Sequence, residues 1–182
     1  MSTLLVTVQE AKRHLRINTF DSDDQLSAMV EVATDACQQY TGRTWAPTTV
    51  TETHDGGKTA LALRATPVQS ITSVTVNGVA IANSECYYDA TTGLLYRGLP
   101  PWPTYWTPGI GNVVVTFLAG AATVPPSIRH GVLEMTRHLW ETQSGAYGPR
   151  SGPGDEWDPT AGFSIPRRVA ELWRPYRAVG IG

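Results

Sequence analysis

The stretch Val124–Glu141, VPPSIRHGVLEMTRHLWE, decides how the rest of the chain is read. At 3.6 residues per turn, Ile128, Val132, Met135 and Leu139 fall on one line, at spacings of four, three and four. Leu133 and Trp140 make a second apolar line beside the first. Pro125 and Pro126 predict an extended approach, with Ser127 as the expected N-cap. His130, Glu134, Arg137, His138 and Glu141 share the remaining sector. Glu134 lies four before His138 and Arg137 four before Glu141, which suits a wetted face. The pattern is that of the central helix of a small helical core. Its apolar sector is wider than one stripe, so part of it can also meet a second subunit.

Working outward, two more helices precede it. Thr7 and Glu10 stand in capping-box spacing before VQEAKRHL, with Val8, Ala11 and Leu15 on one side. Ser22 and Gln25 offer a second capping box, and Asp23 and Asp24 put negative charge at a helix start, where the dipole favours it. The second helix is expected to run to about Tyr40 and stop at Gly42. Its stripe is Leu26, Met29, Val30, Ala33, Ala36, Cys37 and Tyr40. The aspartates at 21, 23 and 24 lack the later glycine and glutamate of a calcium loop, so capping explains them.

From Trp45 the period changes to two. Thr48–His54 reads as a strand, turning at Asp55-Gly56-Gly57 and returning over Thr59–Leu63. Ile71–Val76 is a strand, and Asn77-Gly78 is a strong hairpin signal leading into Val79–Ile81. Tyr87–Asp89 and Leu94–Arg97 look like another pair. Asn112–Leu118 is apolar on both faces, which predicts cover on both sides. The sum is an antiparallel β unit of about five to seven strands. Inside it, Leu99–Gly111 threads Trp102, Tyr105 and Trp106 among four prolines, with no basic residue. Packing or protein contact is the expected role, and a stacking platform for sugar or single-stranded nucleic acid the alternative.

After the central helix, the Gly- and Pro-rich stretch from Ser144 to Phe163 reads as a flexible arm that carries Trp157. Ser164 is the expected cap of a last helix, whose apolar face is Ile165, Val169, Leu172 and Trp173, with Pro175 interrupting it. This end is basic and aromatic, with Arg167, Arg168, Arg174 and Arg177 against one glutamate. That suits a docking element, or else a closing helix with solvated arginines.

The totals narrow the function. With 182 residues, a net charge of -2 and 16% charged residues, tight non-specific nucleic-acid binding is disfavoured. Two cysteines, Cys37 and Cys86, make neither a disulfide framework nor a zinc site, and Cys37 is expected to be a buried thiol. No apolar run is long enough for a membrane span, and no secretory leader is expected. HExxH, CxxC and GxSxG do not occur, and His130 and His138 are too far apart to share a metal easily. No enzyme activity and no cofactor are expected.

Four segments together resemble the head-tail connector, or adaptor, proteins of long-tailed bacteriophages and gene transfer agents, in the longer subgroup with a β insert. They are VTVQEAKRHLRI followed by DSDDQLSAMVEVATDACQQYTGRTW; TPVQSITSVTVNG; VTFLAGAATVPPSIRHGVLEMTRHLWE; and LWRPYR. The resemblance implies an α+β fold: a small bundle of about four helices with an inserted antiparallel β unit and a C-terminal helix or arm. The expected parts are a helical segment 1–44, the insert 45–120, the central helix 121–144, an arm 145–163 and a docking helix and tail 164–182. It further implies a virion protein of the capsid-tail neck, present in the host cytoplasm during assembly. A ring, usually dodecameric, would dock under the portal protein and extend the channel through which double-stranded DNA slides without specific binding. A neck, tail-completion or tail terminator protein would be the next partner. Alternatives are a tail-completion protein, or a carbohydrate- or receptor-binding module using Trp102 and Trp106. The portal-docking candidates are Arg167, Arg168, Leu172, Trp173, Arg174, Tyr176 and Arg177. Trp102, Tyr105, Trp106, Trp140 and Trp157 are candidates for subunit or tail contact. Truncation after Phe163 is expected to leave the fold intact.

Overall fold

The structure, a computed structural model, describes residues 4–144 and 165–178. The expected arm, with Trp157, and the expected cap Ser164 lie outside the described residues. The chain divides into two compact units, Met1–Gly42 with Val124–Gly182, and Arg43–Thr123. Helices make the first and antiparallel strands the second, so the fold class is α+β.

The helical unit contains α1 (Val8–Leu15), α2 (Asp23–Thr41), α3 (Pro126–Ser144) and α4 (Arg167–Trp173), with a 3-10 turn over Arg174–Tyr176. The capping box of α1 forms as its spacing predicts. Thr7 Oγ1 accepts from the Glu10 amide at 3.2 Å, and the Glu10 carboxylate accepts from the Thr7 amide at 2.8 Å. That bonding holds the Glu10 carboxyl below its ordinary pKa, with the Thr7 backbone N–H the largest cause. Ser22 is the N-cap of α2 but makes no side-chain cap bond, contrary to expectation. Its φ of -114° and ψ of 14° depart from the extended geometry that aims a cap hydroxyl at the helix amides. Gly42 ends α2 at φ 64°, and its amide donates to the Gln38 carbonyl at 2.8 Å.

The start of α3 also differs from the reading of its sequence. Pro126 is its first residue rather than part of an extended approach, because proline's fixed φ suits the first turn, where no N–H is needed. Ser127 therefore lies inside the helix. The predicted line of Ile128, Val132, Met135 and Leu139 is buried throughout. It faces a core with Leu26, Met29, Val30, Ala33 and Cys37 of α2. Burial pushes the Cys37 thiol up to about 12, so it packs as a small apolar group.

The β unit has two sheets. One is ordered β1-β7-β3-β4, from Thr48–His54, Val113–Ala119, Val68–Val76 and Val79–Ile81. The other is ordered β2-β6-β5, from Ala60–Ala62, Leu94–Arg97 and Cys86–Tyr88. Asn77 and Gly78, at φ 50° and 79°, make the two-residue turn between β3 and β4. The expected β1–β2 return does not form. β1 pairs instead with β7, Thr48 opposite Ala119, and β2 pairs with β6. β7 is the better partner because its seven residues match β1 along its whole length, and it alternates cleanly. Val113, Val115, Phe117 and Ala119 are buried, while Val114, Thr116 and Leu118 are only half-covered, so the expected cover on both faces is complete on one.

A buried carboxylate joins the two sheets. Glu52 of β1 accepts from the Arg64 amide at 3.0 and 3.1 Å, from the Ala65 amide at 3.1 Å, and lies 3.0 Å from His54 Nε2. Charge-assisted bonds of this kind are the stronger ones, and here they fix the backbone between β2 and β3 on β1.

Candidate interaction surfaces

The C-terminal segment is anchored before it can present anything. α4 lays Val169 and Trp173 against the helical core, both buried. Trp173 Nε1 donates to the Ile128 carbonyl at 3.4 Å, and its ring lies 6.0 Å from that of Tyr40. The close approach needs Gly131 of α3. A methyl group there would overlap Trp173 Nε1 and stand 2.8 Å from Cδ1 and 2.9 Å from Cε2. Further on, the Ala178 amide donates to the Thr41 carbonyl at 2.7 Å, and Tyr40 Oη donates to the Ala170 carbonyl at 3.4 Å.

Trp173, a sequence candidate for docking, is therefore a core side chain at 0% exposure. Leu172 and Tyr176 are half-buried, and Tyr176 Oη lies 3.5 Å from Ser127 Oγ. Arg167, Arg168, Arg174 and Arg177 remain outward, with Arg177 over the Tyr40 ring at 5.4 Å. Removal of everything after Phe163 would strip Val169 and Trp173 from the core, so that truncation cannot leave the fold intact.

Behind this segment, side chains from three helices converge on Glu134 of α3. Its Oε1 lies 3.3 Å from His14 Nε2 on α1 and 3.7 Å from His130 Nε2, and its Oε2 lies 4.0 Å from Arg168 Nε on α4. The expected partner, His138, is thus replaced by His130 one turn earlier, on the side where α1 and α4 pack. Arg137 and Glu141 pair at 2.7 Å as their spacing predicts. Arg129 reaches Glu10 from α3 to α1. Among the described residues no group of three His, Cys, Asp or Glu side chains could hold a metal ion. No described helix is long and apolar enough to cross a membrane.

The second surface lies in the β unit. The proline-aromatic stretch 99–111 is held by the Trp106 amide donating to the Lys58 carbonyl and the Gly57 amide donating to the Trp106 carbonyl, both at 2.9 Å. Trp106 itself is at 0% exposure, packed with Leu61, Leu63, Leu95 and Val113. It anchors the loop and offers no contact surface, which corrects its sequence assignment. A sugar platform of Trp102 with Trp106 is therefore absent. Trp102 at 82% and Tyr105 at 70% stand outward instead, with Leu99 at 60% and Ile110 at 94%. Trp140 on α3 is half-buried. Beside the loop, a cavity of about 350 Å³ is lined by Tyr87, Asp89, Tyr96 and Pro100, Pro101 and Pro103.

Comparison with known proteins gives the same architecture. The family model described as head completion protein matches residues 4–179. A chain from the neck of an empty gene transfer agent particle, computed with C6 symmetry, superposes at a TM-score of 0.67 and 17% identity, covering 97% of this chain and 91% of that one. A chain from the virion of a native gene transfer agent particle reaches 0.70 at 16% identity, with coverage of 97% and 91%. A third, from the neck of a native particle computed with C12 symmetry, reaches 0.66 at 16%, with coverage of 100% and 97%. No curated protein matches.

Proposed function

The chain belongs to the head completion protein family, and on that premise we propose that it is a structural subunit of the virion neck, joining the capsid vertex to the tail. The family match over residues 4–179 carries this reading. The likeness in fold to chains from gene transfer agent necks supports it. The protein works by shape, with no chemical step. Copies form a ring under the portal, the lumen passes double-stranded DNA, and the far face receives a neck or tail-completion protein. Few basic side chains suit a lumen along which phosphates must slide. A closed ring of identical chains needs two different patches on each copy that meet when the rotation closes.

The portal-facing element in this reading is the outer side of α4 and the turn after it, with Arg167, Arg168, Arg174 and Arg177 as the contacting charges. Trp173 and Val169 beneath them hold the element rigid, which lowers the ordering cost of docking. The test is particle assembly. Without the gene, DNA-filled heads and free tails should accumulate unjoined. The Arg174→Glu, Arg177→Glu double variant should fold but be missing from purified heads. Joined particles lacking the protein would overturn the neck role, and full occupancy by the double variant would overturn the portal assignment.

A further inference from the structure

We propose that the outward loop Leu99–Gly111 is the contact through which one copy of this chain grips the next copy in the ring. The inference rests on the neck reading and adds to it a named surface and a single occupant, a second copy of the chain.

Four observations carry it. The first is concentration: the described residues leave eight large apolar side chains well exposed, and Leu99, Trp102, Tyr105 and Ile110 put four of them on this one loop. The second is amount. Aromatic side chains bury 150–250 Å² each, so Trp102 and Tyr105 at their exposures offer roughly 300 Å² between them. Leu99 and Ile110 enlarge that to a large part of the roughly 800 Å² per partner of a standard interface.

The third is rigidity. Trp106 is pinned in the core, and the Thr104 amide donates to the Arg97 carbonyl at 2.7 Å. The Gly56 amide donates to the Gly109 carbonyl at 2.9 Å, and Asn112 Nδ2 to the Thr107 carbonyl at 2.9 Å. Together with four prolines, these bonds hold the loop in place before any partner arrives, so little ordering entropy is lost on contact.

The fourth identifies the occupant. LPPWPTYWTPGIG has no charged residue, in a chain with 16% of them. DNA phosphates are thereby excluded as the ligand. Interfaces between copies of one chain are more apolar than non-obligate contacts between different proteins. A wholly uncharged apolar loop has the composition of the first kind.

The experiment places a photo-crosslinking side chain in the full chain, Trp102→p-benzoylphenylalanine, and irradiates purified particles. The expected product is a covalent dimer of this chain, about twice 19.7 kDa, with the second crosslinked site on another copy. A product joining position 102 to a different protein, or none, overturns the proposal. A protein missing from the particle neck altogether would instead sink the neck reading, so the two failures are distinguishable. A second arm uses Trp102→Asp with Ile110→Asp, both fully outward and outside the core. The variant should keep the wild-type melting temperature while its copies are lost from particles. Normal occupancy would overturn the proposal too.

Discussion

Substitution of Gly131 by alanine tests how the C-terminal segment is held. At an ordinary position inside a helix, alanine is favoured over glycine by about 1 kcal/mol. Position 131 is inside α3, so helix propensity alone predicts a gain. The packing predicts the reverse. The new methyl would stand 2.8–2.9 Å from two carbons of the Trp173 indole, and that ring is fully buried. Overpacking of this size costs about 1–3 kcal/mol, and complete expulsion of a tryptophan about 3–5 kcal/mol. Because the methyl also overlaps Trp173 Nε1, the cost falls at the top of the overpacking range, and against the propensity gain the net loss should be about 2 kcal/mol. Denaturant unfolding gives the size, and hydrogen exchange over residues 165–178 gives the place, since α4 should lose protection before α2 does. In a Trp173→Leu background the clash is gone, and Gly131→Ala should then be neutral or stabilising. The coupling between the two sites should be about 2 kcal/mol. A rise in stability of about 1 kcal/mol from Gly131→Ala alone would refute the packing reading.

Two further outcomes follow from the same geometry. Glu52→Ala should cost about 2–4 kcal/mol, because the Arg64 and Ala65 amides both lose their acceptor, whereas Glu52→Gln should cost about half as much. A loss within about 0.5 kcal/mol in thermal unfolding would contradict that role, since it matches an ordinary surface substitution. The Glu10 carboxyl titrates below the ordinary glutamate value of 4.5 because the Thr7 amide bonds its charged form. A depressed folded pKa contributes stability that is present above the unfolded value and lost as pH falls through the folded one. Amide exchange at Thr7 and Glu10 should therefore show no loss of cap stability from pH 7 to about 5 and a loss only below about 4.5, abolished in Glu10→Gln. Loss of the cap between pH 7 and 5 would contradict the assignment.

Local patterns in the sequence carried much of this structure. The line Ile128, Val132, Met135 and Leu139, the capping box at Thr7, the stop at Gly42 and the Asn77-Gly78 turn each depend on neighbours within a few residues. What escaped depends on partners far away. Nothing near Thr48 announces that its strand pairs with Ala119 rather than with the strand just after it. Trp106 reads like Trp102, yet one is core and the other surface, because only the fold brings Leu61, Leu95 and Val113 around position 106. Trp173 looked like a docking residue for the same reason. Two signals point it inward: its place on the apolar face of the last helix, and Gly131, a glycine kept inside an otherwise strong helix. The sequence pairs Glu134 with its helical neighbour His138, since a sequence shows the turn of one helix and not the arrival of α1 and α4.

The central place of β7 has a consequence in time. β1 and β3 both pair with it, and it is the last strand made. As the chain leaves the ribosome, residues 48–76 must wait with open hydrogen-bonding edges until residue 119 has emerged, and such edges are where nascent chains stick to one another. A pause in translation while residues 113–119 are still inside the ribosome should lower the yield of soluble protein, while the same pause after they have emerged should not.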